Sequence, residues 1–107
     1  MINYCISCGM PLTKKEDIGK IIDKGSLCMF CVNTDGTVKS CEEVFEGGVR
    51  FFMNTTSGVD KQLAERITRK NMNNQPYWQN ADNACLKGEE ATDKEFQEIL
   101  KKLHEDN

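Results

Sequence analysis

Four cysteines in two close pairs constrain this chain more than any other feature of its sequence. Each pair has the form C-x2-C, and nineteen residues separate the first pair, Cys5 and Cys8, from the second, Cys28 and Cys31. Two such turns, brought together by the chain between them, can place four thiolates around one tetrahedral zinc ion. A thioredoxin-like redox motif would explain one pair but not two, and no βαβ pattern surrounds either. We therefore predict that these four cysteines bind one Zn²⁺ per chain.

The segment that carries the pairs is too small to fold on apolar burial alone. Residues 3–37 offer few apolar side chains for a core, and domains below about 40 residues rarely fold without a metal or disulfides. Structural zinc contributes roughly 10–16 kcal/mol of apparent binding free energy at neutral pH. Because all four ligands are cysteine, no coordination position remains for water or substrate. The predicted zinc site is therefore structural and not catalytic.

Short strands and tight turns are predicted around the pairs. The stretch IGKIIDKGSLCMFC is typical of a strand, a turn at residues 23–26 and a second strand that runs into the second knuckle. In NTDGTV, the dipeptide Asp35-Gly36 indicates another tight turn. Together these patterns predict a zinc ribbon of short β-hairpins over residues 1–38.

Two stretches of the sequence resemble a known family. YCISCGMPL and CMFCVNTDGTVKSCEEVFE are similar to the zinc-ribbon proteins of bacteria and archaea in which Gly-Met-Pro follows the first knuckle. The resemblance covers about residues 3–78 and is most specific at 4–46. It implies the same four ligands, one or two helices after the ribbon, and a loose association with transcription-regulator-like modules. Gly47-Gly48 departs from the continuous helix that the family implies.

The remainder of the chain is predicted to be helical. Three capping-box patterns predict helix starts: Ser40 with Glu43, Ser57 with Asp60, and Thr92 with Glu95. Gly47 and Gly48 are expected either to kink or split the first helix or to let another backbone approach it. The polar stretch between the second and third helices is predicted to be a loop, with Tyr77 and Trp78 against the helices.

These patterns predict the fold class and its division. We expect a small α+β protein in which a four-cysteine ribbon (1–38) precedes two or three helices. The helical part is assigned to 39–78, and a loop with a C-terminal helix extends over 79–107. The sequence does not indicate an oligomeric state.

The cellular location is predicted from the lack of a membrane-spanning stretch and of a signal-peptide pattern in the sequence. The longest apolar run, LCMFCV, is far too short to span a bilayer, so no membrane association is expected. The first residues, MINYC, lack the basic start and apolar core of a signal peptide. We therefore predict a cytoplasmic protein whose six cysteines stay reduced, because cellular thiols disfavour disulfides there.

Cys41 and Cys85 lie outside the predicted zinc site. Cys41 falls in the first turn of a predicted helix, where the helix N-terminus lowers a thiol pKa. It also falls on the apolar stripe of that helix, so burial as a small hydrophobe is the favoured interpretation. Redox sensing and an accessory metal role are the alternatives. For Cys85 we expect a packing role or an incidental thiol.

The charge distribution bears on nucleic-acid binding. The chain has a net charge of -3, but residues 50–80 carry a local +3 and residues 81–107 a local -4. Arg66, Arg69 and Lys70 are predicted to share one helix face close to Tyr77 and Trp78, an arrangement that can hold single-stranded nucleic acid. An ordinary solvated face is the favoured interpretation, because the flanking acidic segments repel phosphate.

No set of residues in the sequence predicts catalysis. There is no Ser/His/Asp set, no phosphate-binding glycine loop and no metal site with an open position. The leading hypothesis is therefore a small interaction or regulatory module, not an enzyme, whose zinc holds a surface for a protein partner. The candidate surface is the Met10-Pro11-Leu12 edge with Met29 and Phe30. A nucleic-acid-binding ribbon and a thiol redox sensor that releases zinc on oxidation are the alternatives.

Overall fold

Two small antiparallel hairpins form the first part of the fold in the computed structural model, which describes residues 3–79 and 84–105. The first hairpin pairs β1 (Asn3–Tyr4) with β2 (Pro11–Leu12), and the second pairs β3 (Ile18–Ile22) with β4 (Gly25–Cys28). Within the described residues, three helices follow: α1 (Cys41–Thr55), α2 (Lys61–Asn73) and α3 (Asp93–Glu105). The predicted fold class, a small α+β protein with an N-terminal four-cysteine cluster, is confirmed.

The second hairpin and the turn after it agree with the sequence pattern. β3 and β4 pair from Ile22 opposite Gly25 to Ile18 opposite Cys28, with one register shift between them. Gly25 has a positive φ of 142°, which a residue with a side chain rarely adopts. At Asp35-Gly36 the chain reverses, and the N–H of Asn33 donates to the carbonyl of Thr37 at 2.8 Å. Both predicted turns are therefore present.

The first helix runs without a break through the glycine pair. The Ser40 side chain accepts a hydrogen bond from the N–H of Glu43, whose carboxylate accepts one from the N–H of Ser40. A Cβ on Gly48 would lie 2.7 Å from Cγ2 of the buried Thr68 on α2. The expected kink or split is thus wrong. The close approach expected as the alternative occurs at Gly48, but a side chain makes it and not another backbone. The short connection 56–60 keeps α1 and α2 side by side.

The second helix starts later than predicted, and the third starts as predicted. Asp60 caps α2 by accepting a hydrogen bond from the N–H of Leu63 at 2.8 Å. The expected start at Ser57 is wrong because Gly58, with φ of 81°, lies in the turn before the helix. The box of Thr92 with Glu95 forms both of its hydrogen bonds, at 2.9 and 3.1 Å.

The buried side chains form two clusters, and the first of them joins the ribbon to the helices. The cluster around the four cysteines also contains one residue from each of four later segments: Val44, Met72, Trp78 and Leu86. The second cluster packs α1, α2 and α3 together through residues such as Phe52, Ile67 and Ile99. The ribbon therefore shares its core with the helices.

The described helices are all short or polar. None of them has the length and apolar character needed to cross a lipid bilayer.

Candidate metal centre

The first knuckle is the turn that joins β1 to β2. The N–H of Cys5 donates to the carbonyl of Met10 at 2.8 Å, and the N–H of Gly9 donates to the carbonyl of Cys5 at 2.9 Å. Gly9 has a φ of 81°, so the residue after Cys8 is in the left-handed region that glycine adopts at little cost. This tight turn places the side chains of Cys5 and Cys8 on the same side.

The second knuckle begins where β4 ends. Cys28 is the last residue of that strand, and a single 3₁₀ turn, Met29–Cys31, brings Cys31 back beside it. The N–H of Ile6 donates to the carbonyl of Ser26 at 3.0 Å, which fastens the first knuckle to β4. Two hairpins thus hold two pairs of cysteines against each other.

The four sulfur atoms lie close enough to share one metal ion. All four Sγ atoms lie within 4.8 Å of one another. Three of the separations are 3.7 Å (Cys5 to Cys31), 3.6 Å (Cys8 to Cys28) and 3.6 Å (Cys28 to Cys31). A tetrahedron with Zn–S bonds of about 2.3 Å has S···S edges of about 3.8 Å. The spacing of the thiols, as well as their chemistry, therefore fits zinc.

Burial and hydrogen bonds also suit thiolate ligands. Cys5, Cys28 and Cys31 are buried, and Cys8 is half-buried. Three backbone N–H groups, of Ser7, Cys8 and Cys28, donate to Sγ of Cys5 at 3.3–3.5 Å. Such donors stabilise negative charge on sulfur. The arrangement favours an ionised Cys5.

Hydrogen bonds among the four thiols shift their pKa values in opposite directions. Hydrogen bonding among the thiols, most strongly with Cys28, lowers the pKa of Cys5 and raises the pKa of Cys8. A divalent cation at the centre replaces the shared protons and permits all four residues to bind as thiolates.

The end of α2 and the turn after it close over the first knuckle. Asn71 donates from Nδ2 to the carbonyl of Cys8 at 2.7 Å, and Trp78 donates from Nε1 to the carbonyl of Ser7 at 2.8 Å. The N–H of Tyr77 donates to the carbonyl of Ile6 at 3.1 Å. Tyr77 and Trp78 therefore lie against the knuckle as well as the helices. Each bond satisfies a backbone carbonyl of the ligand-bearing turn.

A comparison with known families decides what this centre is. The family model described as "Putative zinc ribbon domain" matches residues 4–79, most of the chain. The chain belongs to this zinc ribbon family. The match includes all four cysteines of the cluster and extends through α1, α2 and Trp78. The residues that bond the first knuckle, Asn71 and Trp78, therefore lie within the matched region. No curated protein and no solved structure matches the chain.

The predicted basic face of the zinc ribbon protein lies against its own C-terminal segment. Arg66 pairs with Glu95 at 2.8 Å, and Lys70 pairs with Asp93 at 2.7 Å. Arg69 donates to the carbonyl of Glu89 at 3.2 Å, and its guanidinium lies 5.3 Å from the ring centroid of Phe45. Arg66 and Lys70 therefore pair with carboxylates of the segment 89–95, and Arg69 bonds a backbone carbonyl of the same segment.

The two remaining cysteines correct a prediction. Cys41 and Cys85 form a disulfide, with their Cα atoms 6.3 Å apart. The expectation that all six cysteines are reduced thiols is therefore wrong for this pair. Both residues also pack against the first cluster, which agrees with the packing roles expected for them. The reason for the disulfide lies in the segment 84–91, which returns to the helices. Leu86 is buried in the first cluster, and the N–H of Ala91 donates to the carbonyl of Arg66.

Sequence reasoning missed the residues that support the first knuckle. Asn71 is one of several asparagines in a polar stretch, and no spacing rule connects it with Cys8, 63 residues earlier. Trp78 carried a weak signal, since a lone tryptophan in a polar stretch is expected to be buried with its N–H bonded. That signal indicated burial but not the acceptor.

Proposed function

We propose that this zinc ribbon protein is a small interaction module in the cytoplasm, without catalytic activity, in which one structural Zn²⁺ holds a surface for a protein partner. The observation that carries the proposal is the exposure of Met29 and Phe30. These two residues lie between Cys28 and Cys31 in the second knuckle, and 49% of Met29 and 63% of Phe30 is exposed. Large apolar side chains fixed at a protein surface commonly mark interaction sites.

The proposed surface is narrower than the sequence suggested. From the sequence, the partner-binding surface was expected to include the Met10-Pro11-Leu12 edge together with Met29 and Phe30. Leu12 is 7% exposed and belongs to the buried cluster, and Met10 packs against that cluster. We therefore assign the surface to the knuckle turn, where both ends are fixed by ligand cysteines.

One zinc ion per chain is the first expected result. Elemental analysis of the purified protein should give a zinc-to-protein ratio of about one, because the four sulfurs form a single tetrahedral set. Cys8→Ser should lose the metal or bind it far more weakly, since serine does not supply a thiolate. The double variant Cys41→Ser/Cys85→Ser is the matched control and should keep its zinc. Full retention of zinc by Cys8→Ser would contradict the ligand assignment.

Partner capture should depend on Phe30. We expect the immobilised zinc-loaded chain to retain a reproducible partner from an extract of the source cell. Phe30→Ser should lower the affinity for this partner by about tenfold or more, because a central buried aromatic is worth about 2 kcal/mol or more in an interface. Phe51→Ser is the matched control, because Phe51 is also half exposed but lies on α1. Binding of the recovered partner to the two variants is then measured by titration.

Comparison of Phe30→Ser with Phe51→Ser also shows which result would contradict the proposed surface. Equal affinity of Phe30→Ser and the unaltered chain, with zinc content unchanged, would remove the knuckle turn as the contact surface. Equal loss in both variants would indicate non-specific apolar capture.

Nucleic-acid binding is the second candidate, and the ion pairs argue against it. The carboxylates of Glu95 and Asp93 already neutralise Arg66 and Lys70. The pKa of Glu95 is lowered by the backbone N–H of Thr92 and by Arg66, so this carboxylate is ionised at neutral pH. Phosphate would have to displace these partners, and its affinity falls steeply with salt.

Oligonucleotide titration tests this candidate directly. We expect no binding tighter than about micromolar to mixed single-stranded or duplex oligonucleotides at physiological salt, because too few free cations are clustered to release counterions. The comparison variants are Arg66→Glu/Arg69→Glu and, as the control, Lys101→Glu/Lys102→Glu on α3. Tight binding that only the first pair abolishes would favour the nucleic-acid function over the interaction module.

A further inference from the structure

The Cys41–Cys85 disulfide lies at the surface and outside the zinc centre. Both residues are half-buried, whereas three of the four zinc-site cysteines are buried. The bond joins the start of α1 to the turn Ala84–Leu86, across a sequence separation of 44. In a reducing compartment, disulfides are usually transient and serve redox chemistry. A half-buried disulfide in this position is therefore a candidate for thiol–disulfide exchange.

A groove opens beside one sulfur-bearing residue of this pair. It has a volume of about 500 Å³, lies between α1 and α2, and is lined by Cys85 but not by Cys41. Phe45, Val49 and Met53 are among its apolar lining residues. That volume is within the range of sites that hold small molecules, roughly 300–1,000 Å³. A small reactant can therefore approach Cys85 from the groove.

The charges along the groove indicate the kind of reactant. Arg50 and Lys61 line it, and neither forms an ion pair within residues 3–79 and 84–105. Arg50 lies nine residues beyond Cys41, which is roughly 13 Å along the axis of α1, and its long side chain leans back towards the helix N-terminus. Because Arg50, Lys61 and Cys85 line the same groove, these two cations are available to the carboxylates of a molecule that binds beside Cys85.

Acidic side chains of the groove complete the pattern. Glu42, Glu46 and Glu65 also line it. Glu42 and Glu46 lie on the first two turns of α1, the end that carries the disulfide. A molecule with both ammonium and carboxylate groups would find opposite charges in the same groove. A peptide-like thiol has these groups, whereas a neutral thiol has none of them.

The position of Cys41 at a helix N-terminus favours its departure as the leaving thiolate. Cys41 is the first residue of α1, directly after the Ser40 cap, so its thiolate lies next to backbone N–H groups that stabilise negative charge. The thiol with the lower pKa is the better leaving group in exchange. Attack from the groove on Sγ of Cys85 would therefore release Cys41.

We propose that Cys41 and Cys85 form a reversible thiol–disulfide exchange site whose reactant is a small peptide-like thiol bound in the adjoining groove. The thiolate of the reactant attacks Sγ of Cys85, the Cys41–Cys85 bond breaks, and its electron pair remains on Cys41. A second thiol attacks the sulfur of the reactant in the mixed disulfide and releases Cys85. In total, two thiols are oxidised to one disulfide, and the protein gains two electrons and two protons. The site is independent of the partner surface at Met29 and Phe30.

The test compares two reductants on the intact, zinc-loaded and oxidised chain. Reduced glutathione is the peptide-like probe, and 2-mercaptoethanol is the neutral one. Disulfide reduction is followed by acid quenching, alkylation and mass mapping of Cys41 and Cys85. We expect Arg50→Gln/Lys61→Gln to slow reduction by glutathione by about tenfold, because the two cations that attract its carboxylates are removed. Reduction by 2-mercaptoethanol should not change.

Control variants separate a bound reactant from general charge effects. Lys101→Gln/Lys102→Gln removes the same charge from α3 and should leave both rates unchanged. Arg50→Lys/Lys61→Arg keeps the charge and should preserve the preference for glutathione. In Cys41→Ser, glutathione disulfide should form a lasting adduct on Cys85, since no second cysteine displaces it. An unchanged ratio of the two reduction rates in Arg50→Gln/Lys61→Gln, or failure of glutathione to reduce the pair, would overturn the proposal.

Discussion

Removal of zinc should unfold residues 4–37 and leave part of the helical structure in place. Apparent binding free energies of structural zinc, roughly 10–16 kcal/mol, equal or exceed the whole stability of a typical small domain, about 5–15 kcal/mol. The ribbon has two short hairpins and few buried residues of its own, such as Leu12 and Leu27. We expect the amide signals of this segment to lose their dispersion in a nuclear magnetic resonance spectrum when a strong chelator is added.

The helices should respond only partly. Val44, Met72 and Trp78 pack in the cluster around the cysteines, so α1 and α2 lose part of their support when the ribbon unfolds. The second cluster does not contain any ribbon residue, and it still joins α1, α2 and α3. Helical circular dichroism should therefore decrease without disappearing.

The disulfide provides a control for this experiment. Chelator with a strong reductant should remove more helical signal than chelator alone, because the Cys41–Cys85 bond still restrains the unfolded chain when only zinc is lost. Reductant alone, at a concentration that leaves zinc bound, should leave the ribbon signals in place. Unchanged amide signals of residues 4–37 after complete zinc removal would mean that the ribbon folds without its metal.

The sequence was sufficient for the features that local rules control. The cluster of four cysteines was predictable because C-x2-C turns have a fixed spacing and a fixed chemistry. The caps at Ser40 and Thr92 were predictable because a capping box is a contact between residues three apart. The hairpin of β3 and β4 was predictable from a turn signal between apolar residues.

The sequence was not sufficient where distant segments meet. The role of Gly48 depends on Thr68, twenty residues later, whose side chain occupies the space where a Cβ would lie. The partner of Cys41 depends on the return of the segment 84–91, which Leu86 anchors by its burial. Local patterns carry no information about such contacts. Only the folded chain therefore shows the disulfide, the cations Arg50 and Lys61 in the groove, and the bonds of Asn71 and Trp78 to the first knuckle.

Truncation of Trp78 should be the most destabilising single substitution outside the four ligands. Trp78 is 8% exposed, and its ring meets Tyr77 edge-on at a centroid distance of 4.7 Å. Trp78→Ala removes this packing and the hydrogen bond to the carbonyl of Ser7. We expect the free energy of unfolding in urea to fall by about 3–5 kcal/mol. Zinc affinity should fall by roughly 10–100-fold, as is usual when support of a ligand-bearing segment is lost.

A second substitution separates the hydrogen bond from the packing. Trp78→Phe keeps an aromatic ring but leaves the buried carbonyl of Ser7 without its indole donor, which costs about 1–3 kcal/mol. Its zinc affinity should lie between that of Trp78→Ala and the unaltered chain when measured by competition with a chelator. Phe51→Ala is the control, because a half-exposed ring on α1 supports neither knuckle. If Trp78→Phe equals the unaltered chain in both measurements, the indole N–H does not hold the first knuckle, and the support must come from packing and from Asn71.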